Sequence, residues 1–264
     1  MDCRVLEKVP LQGLDALFER LNAHFSRHKA FSEAEIAIIV SVEIAQLSEK
    51  ERRKLESELG EDLEHALMTS IIVEPMSAFL PVLNGRKNYL GEVFYHRATH
   101  EFLSDELEKA FKRLAIIKGL SNAEAIDRVV TDFLHRSGYE VRQETPVKSE
   151  PGIHRMAASR DSKLLSVVFL PSILFASACA TDMVEDRDYV LVVPTEKTPA
   201  PFIDFKRDRA DIFRSKKVQI WVVNTEKGTV NLFRGRTDDI DIYNNFDIPV
   251  QSPSVPGIFE EDDF

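Results

Sequence analysis

The sequence predicts an α/β (α+β) domain with a mixed central sheet flanked by helices, preceded by an all-α domain. Three observations predict it. Apolar residues recur at helical spacing through most of Leu11 to Lys118, an amphipathic helix from Ala125 steps into a strand at Tyr139, and strand-like and helix-like runs alternate after it. The expected division is a helical domain over residues 1–120, an α/β domain over 121–236, and an extended or disordered acidic tail over 237–264.

In order, Leu14, Leu17, Phe18, Leu21 and Phe25 mark the inner face of a first helix. Ser32 followed by Glu35, and Ser48 followed by Glu51, are capping boxes that open a second helix and a third, highly charged one, which stops near Gly60. A fourth helix spans about Glu61 to Val73 with Leu63, Leu67 and Met68 inward. Pro75, Pro81 and the polar run Asn84–Asn88 make 74–88 an irregular connection, and Leu90–Lys118 is helical, with a break expected near Ser104. Gly119 and the Ser121-to-Glu124 cap then open a separate helix, whose stripe is Ile126, Val129, Val130, Phe133 and Leu134. Gly138 ends that helix because glycine accepts positive φ, and Tyr139–Val141 continues as a strand. Strands over Ile153–Ser159 and Leu164–Leu170 form a hairpin around Arg160–Lys163. Pro171 opens an apolar helix, Tyr189–Thr195 is a buried strand, Pro199–Lys216 a basic helix, and Val218–Asn224 a second buried strand turning through Gly228 into Thr229–Phe233.

With 264 residues, 44% of them hydrophobic and 30% charged, the chain can bury a core without disulfides or metal. Cys3 and Cys179 are too far apart in sequence to suggest a disulfide framework or a CxxC metal site, so a reducing cytoplasm is expected. The start carries Asp2 and Glu7 and predicts no signal peptide. The longest apolar run, Leu164–Ala180, is broken by Pro171 and predicts no membrane span. A net charge of −10 argues against a generic nucleic-acid coat, though a local basic groove is compatible with it. Gly-rich phosphate loops, nucleophile elbows and dinucleotide fingerprints are missing, which gives nucleotide-hydrolase and dehydrogenase chemistry no foothold.

Helix, strand, strand pair, helix, buried strand, helix, buried strand is an order that resembles the restriction-endonuclease-like, or PD-(D/E)xK nuclease, superfamily, over about Ala125 to Phe233. The resemblance implies an aspartate on the second strand and a (D/E)xK on the third, together holding Mg²⁺ and activating a water for phosphodiester attack. Laid onto this chain, the second strand offers His154, Arg155 and Met156, and the third runs Ser166-Val167-Val168-Phe169-Leu170-Pro171, so the implied site is degenerate. A displaced site would take Asp188 and Asp204 as metal ligands and Lys206 as the lysine of a D-x-K, which requires Asp204 to lie on a strand. A third placement, Asp161-Ser162-Lys163, falls in the hairpin turn.

Candidate nucleic-acid contacts are Arg155, Arg160, Lys163, Arg207, Arg209, Arg214, Lys216 and Lys217, weighed against an ordinary solvated helix face neutralised by Asp204, Asp208 and Asp211. His96 and His100 stand at i, i+4 and so share a helix face, with Glu92 one turn earlier and Glu101 beside them. The order HRATHE lacks the internal glutamate of HExxH, so surface histidines are the simpler reading. The last residues, Glu260-Glu261-Asp262-Asp263-Phe264, resemble the protein-docking tail of bacterial single-stranded-DNA-binding proteins, or serve as a solubilising acidic tail. Three functions are expected in turn: a non-catalytic, nucleic-acid-associated binding or assembly module; an active Mg²⁺-dependent nuclease; and a protein-interaction scaffold with no nucleic acid.

Overall fold

The computed structural model describes residues 14–73, 82–97, 104–144, 151–180, 183, 187–215 and 217–233; the expected 237–264 tail lies outside them. The chain divides into two compact units, Met1–Leu114 and Ala115–Phe264.

In the N-terminal unit, helix α1 (Asp15–Phe25) is followed by strand β1 (Ala30–Ser32) and helices α2 (Glu33–Ala45), α3 (Glu49–Leu59) and α4 (Leu63–Ile72). Both predicted capping boxes form. Ser32 Oγ accepts from the Glu35 amide at 3.2 Å while Glu35 Oε2 accepts from the Ser32 amide at 2.9 Å, and Ser48 and Glu51 repeat the exchange. The core is Leu14, Leu17, Phe18, Leu21, Phe25, Phe31, Ile36, Val40, Leu55, Leu67 and Ile71. Two carboxylates enter it, each with a cation. Glu43 binds Arg20 at 2.5 Å and His24 at 3.0 Å, and Glu35 binds Arg113, whose second donor reaches the Ala30 carbonyl at 2.7 Å.

Two readings of this half are corrected. Residues taken as loop and helix form a hairpin, β2 (Gly85–Tyr89) and β3 (Glu92–His96), and β1 joins it to make a three-stranded antiparallel sheet in the order β1-β3-β2. The N-terminal half is therefore not all helix. Val93, Phe94 and Tyr95 suit a pleated surface, and Leu90 and Gly91, at φ 51° and 82°, make the two-residue turn that hairpins favour. Nor does a separate helix open after Gly119. Helix α5 runs unbroken from Ser104 to Arg136. Ser121, expected to cap a new helix, instead turns its hydroxyl back to the Ile117 carbonyl at 2.9 Å. Gly119 is needed for close approach: a Cβ there would stand 2.8 Å from Cβ of Pro171.

The C-terminal unit is a mixed six-stranded sheet in the order β4-β5-β6-β7-β8-β9. The strands are β4 (Glu140–Gln143), β5 (His154–Arg160), β6 (Lys163–Phe169), β7 (Asp188–Pro194), β8 (Val218–Asn224) and β9 (Thr229–Leu232). β4, β5 and β6 pair antiparallel, β6, β7 and β8 parallel, and β9 returns antiparallel. Gly138, at φ 79°, ends α5, and the Tyr139 amide closes onto the Leu134 carbonyl at 2.9 Å. On one sheet face Ile126, Val130 and Leu134 of α5 pack against Met156, Ala158, Val167, Phe169, Val190, Val192 and Val223. Alternation sends Val168, Leu191, Val193, Ile220 and Val222 to the other face, also buried. That side carries a 3₁₀ turn (Ile173–Phe175) and helices α6 (Ala176–Ala180), α7 (Ala200–Asp208) and α8 (Ala210–Ser215).

Leu134→Ala removes a side chain with no exposed surface from the α5–sheet contact, and a loss of about 2–5 kcal/mol in denaturant unfolding is expected. In the N-terminal unit His28 is held below its ordinary value of 6.5, first by desolvation and then by the Arg113 charge, with Glu35 and Glu106 opposing. A depressed histidine binds protons less readily folded than unfolded, so stability falls as pH drops through 6.5 towards the folded value. Unfolding of the wild type and His28→Gln between pH 7.5 and 5 is expected to show a shallower acid loss in the variant.

Candidate functional site

Because the central strands are apolar on both faces, polar groups of the C-terminal unit gather at the two ends of the parallel strands. At the amino ends, Asp161 and Ser162, at φ 49° and 68°, form the tight β5–β6 turn and set Arg160 opposite Lys163. Arg160 donates to the Ser137 carbonyl at 2.8 Å, covers the Tyr139 ring at 4.9 Å, and stands 3.8 Å from Asp161. Asp188 opens β7 at the same end. Lys217, whose carbonyl accepts from the Tyr189 amide, extends its ammonium to 3.7 Å from the Asp188 carboxylate.

Asp204 and Lys206 lie on α7, not on a strand, and the D-x-K reading is corrected for that reason. Side chains two apart point to one face of a strand but to nearly opposite sides of a helix. Asp204 is more than half exposed and pairs with Arg207 at 2.8 Å; Lys206 is buried, its ammonium 5.8 Å from the Phe213 ring centroid. Asp188, meanwhile, is engaged with Lys217 at the start of β7. Asp204 and Lys206 therefore do not share the strand face that the displaced D-x-K requires. Among the described residues, no group of three or more His, Cys, Asp or Glu is placed to hold a metal ion.

The candidate basic contacts are distributed and mostly matched by acids. Arg207 is bound by Asp204 and Asp208, and the Asp208 hydrogen bond, with the charge of Asp204 next, raises its pKa further. Arg209 faces Asp211 at 3.4 Å. Lys163 is exposed and meets no carboxylate among the described residues, while Arg155 lies half-buried on β5 opposite Val168. Arg214 is in α8; its side chain and all of Lys216 lie outside the described residues. His96 is on β3, with Nδ1 2.9 Å from the Arg97 carbonyl, so it cannot share a helix face with His100, which lies outside the described residues together with Glu101.

At the carboxyl ends the fold assembles two pairs that sequence reasoning did not connect. His154, first in β5, sits 2.6 Å from Asp127 of α5 and stacks on Phe169, ring centroids 4.2 Å apart and planes 8° from parallel. Ser172, fully buried after β6, donates to Glu196 Oε1 at 2.7 Å, and the same oxygen accepts from the Ile173 amide. Glu196 thus ties the loop after β7 to the loop after β6. The available signal was position: a carboxylate just past a buried parallel strand stands where α/β sheets present their polar groups. His154 and Asp127 are both partly exposed. Among the described residues no serine, threonine or cysteine hydrogen-bonds to His154.

His154→Ala removes both the Asp127 bond and the Phe169 stack, and a loss of about 1–3 kcal/mol by chemical denaturation is expected. Asp204→Ala, at an exposed position, is expected to leave the unfolding midpoint unchanged.

Residues 118–247 match the family model for the C-terminal domain of DUF6834, a domain of unknown function. No curated protein matches the chain.

Proposed function

We propose that the C-terminal unit is a non-catalytic, nucleic-acid-associated binding or assembly module with a divergent restriction-endonuclease-like architecture. The observation that supports this most is the pairing of β5 and β6. These adjacent strands, HRMAASR against KLLSVVF, carry no aspartate or glutamate, where the resemblance requires acids to hold Mg²⁺. The displaced set of Asp188, Asp204 and Lys206 fits no better, since the last two diverge around α7. A hard divalent ion needs convergent oxygen ligands, and the phosphodiester attack that the resemblance implies uses a water activated by such an ion.

Nucleic acid is the partner in this reading, met by Arg155 and the Arg160–Lys163 end of the hairpin. Arg207, Arg209 and Lys217, like Arg160 beside Asp161, each face a carboxylate that a phosphate would have to displace, which leaves Lys163 the least opposed contact of the hairpin end. Contact is therefore shallow and salt-sensitive, through a few phosphates.

Single- and double-stranded DNA and RNA are to be incubated with the protein in Mg²⁺ or Mn²⁺, beside Asp188→Ala and Asp204→Ala. Equal, background-level cleavage in all three is expected; wild-type activity lost in both variants would establish the nuclease instead. Fluorescence anisotropy with the same nucleic acids across 50–200 mM salt tests the partner, and Lys163→Ala is expected to reduce the log–log salt slope by roughly one. No binding at the lowest salt would leave the scaffold reading in its place.

A further inference from the structure

In the N-terminal unit the three-stranded sheet gathers cations at one end. β1 begins at Ala30 and β2 at Gly85, and both residues pair with His96, the last residue of β3. Lys29, just before β1, and Arg97, just after β3, therefore stand one step beyond the Ala30–His96 pair, with Arg27 two residues further back in the chain. Across β3, Arg86 lies opposite Tyr95 and Lys87 opposite Phe94. Lys29 and Lys87 are thus three residues apart along the strands and two strands apart across them, a span of roughly 14 Å at about 3.4 Å per residue and 4.8 Å per strand.

These cations are unmatched. Arg27, Lys29, Arg86 and Lys87 are exposed, and among the described residues neither they nor Arg97 pair with a carboxylate. Two acids lie close enough for their charge to reach His28, between Arg27 and Lys29, but Glu35 holds Arg113 and Glu106 faces Lys109 at 3.6 Å. In the C-terminal unit, by contrast, Arg160, Arg207, Arg209 and Lys217 each face a carboxylate. Charges on an outer strand discourage pairing with another chain, which accounts for Arg86 and Lys87 but not for Arg97. Arg97 follows the central strand, is half-buried, and holds its Nε out of water with no hydrogen-bond partner among the described residues. An anionic oxygen is the acceptor that a guanidinium N–H takes most strongly. In a chain of net charge −10, cations left unmatched in one place attract a polyanion there and not over the whole surface.

We propose that this end of the β1-β3-β2 sheet is a phosphate-backbone contact for nucleic acid, with Arg27, Lys29, Arg86, Lys87 and Arg97 supplying the charge. It rests on nucleic acid being the partner of the C-terminal unit, and it adds a second contact surface in the N-terminal one. A strand with one phosphate per about 3.4 Å of helix axis presents roughly four to a group of this length, so several cations are met at once.

Fluorescence anisotropy of the full chain with labelled single- and double-stranded DNA and RNA is to be measured across about 50–200 mM salt. The proteins are the wild type, Arg86→Ala/Lys87→Ala, Lys50→Ala/Arg52→Ala and Lys163→Ala, each checked for folding by circular dichroism. Lys50 and Arg52 are equally exposed cations of α3, so that pair removes the same charge from another element. Arg86→Ala/Lys87→Ala is expected to lower the log–log salt slope by roughly two on duplexes and somewhat less on single strands, and the α3 pair to leave it unchanged. Arg86→Lys/Lys87→Arg keeps the charge and is expected to keep the wild-type slope. A wild-type slope in Arg86→Ala/Lys87→Ala, or an equal loss from the α3 pair, overturns the proposal. If Lys163→Ala alone lowers the slope, the contact of the C-terminal unit stands and this one falls. A wild type that binds none of the nucleic acids at the lowest salt overturns both. Should the β2 variant fail to fold, Lys29→Ala, outside the strands, takes its place: a slope lowered by about one supports the contact, and an unchanged slope overturns it.

Discussion

The apolar stripe of α5 has to be buried against a sheet, and most of the C-terminal unit follows from that requirement. Ile126, Val130 and Leu134 cannot be solvated cheaply, and β6, β7 and β8 supply the surface that covers them. Those strands are themselves apolar on the opposite face, which commits the chain to a second layer, the 3₁₀ turn and α6 to α8. Gly119 belongs to the same requirement, because α5 passes Pro171 too closely for any side chain at that position.

A sheet apolar on both faces has little room for charge along its strands, where an isolated carboxylate would be desolvated without compensation. Polar chemistry is pushed to the strand ends and divided between them. Asp188, Lys217 and the Arg160 turn take the amino ends; Asp127 with His154, and Ser172 with Glu196, take the carboxyl ends. Each group is matched locally, acid against base or hydroxyl against carboxylate. Charge-matched pairs dispersed in this way stabilise connections between elements better than they converge on a ligand.

Features carried by near neighbours in the chain were legible. The capping boxes at Ser32 and Ser48, the Gly138 stop, the β5–β6 turn and the buried strand after Tyr189 each depend on a few adjacent residues, and each is found where its sequence signal lies. The hairpin from Gly85 was obscured because its polar first strand, Gly-Arg-Lys-Asn-Tyr, looks like a connection until β3 pairs with it. The merging of two expected helices at Gly119 was obscured because glycine signals an ending and only the nearness of Pro171, 52 positions away in sequence, gives it another use. The candidate site depended on the same distinction: Asp204-Phe205-Lys206 is a D-x-K in text, and helical geometry separates its two ends. His154 with Asp127, and Ser172 with Glu196, meet only through the topology, and no spacing rule joins them.

The six-stranded sheet begins and ends on its weakest members. β4 is Glu-Val-Arg-Gln and β9 is Thr-Val-Asn-Leu, four residues each, flanking the valine-rich strands between them. A short, polar border offers a neighbouring molecule few backbone donors and acceptors to pair with, and the charges on β4 make even those hard to desiccate. The stretches of this chain most prone to self-assembly into fibres are thereby kept two strands or one strand in from any open border.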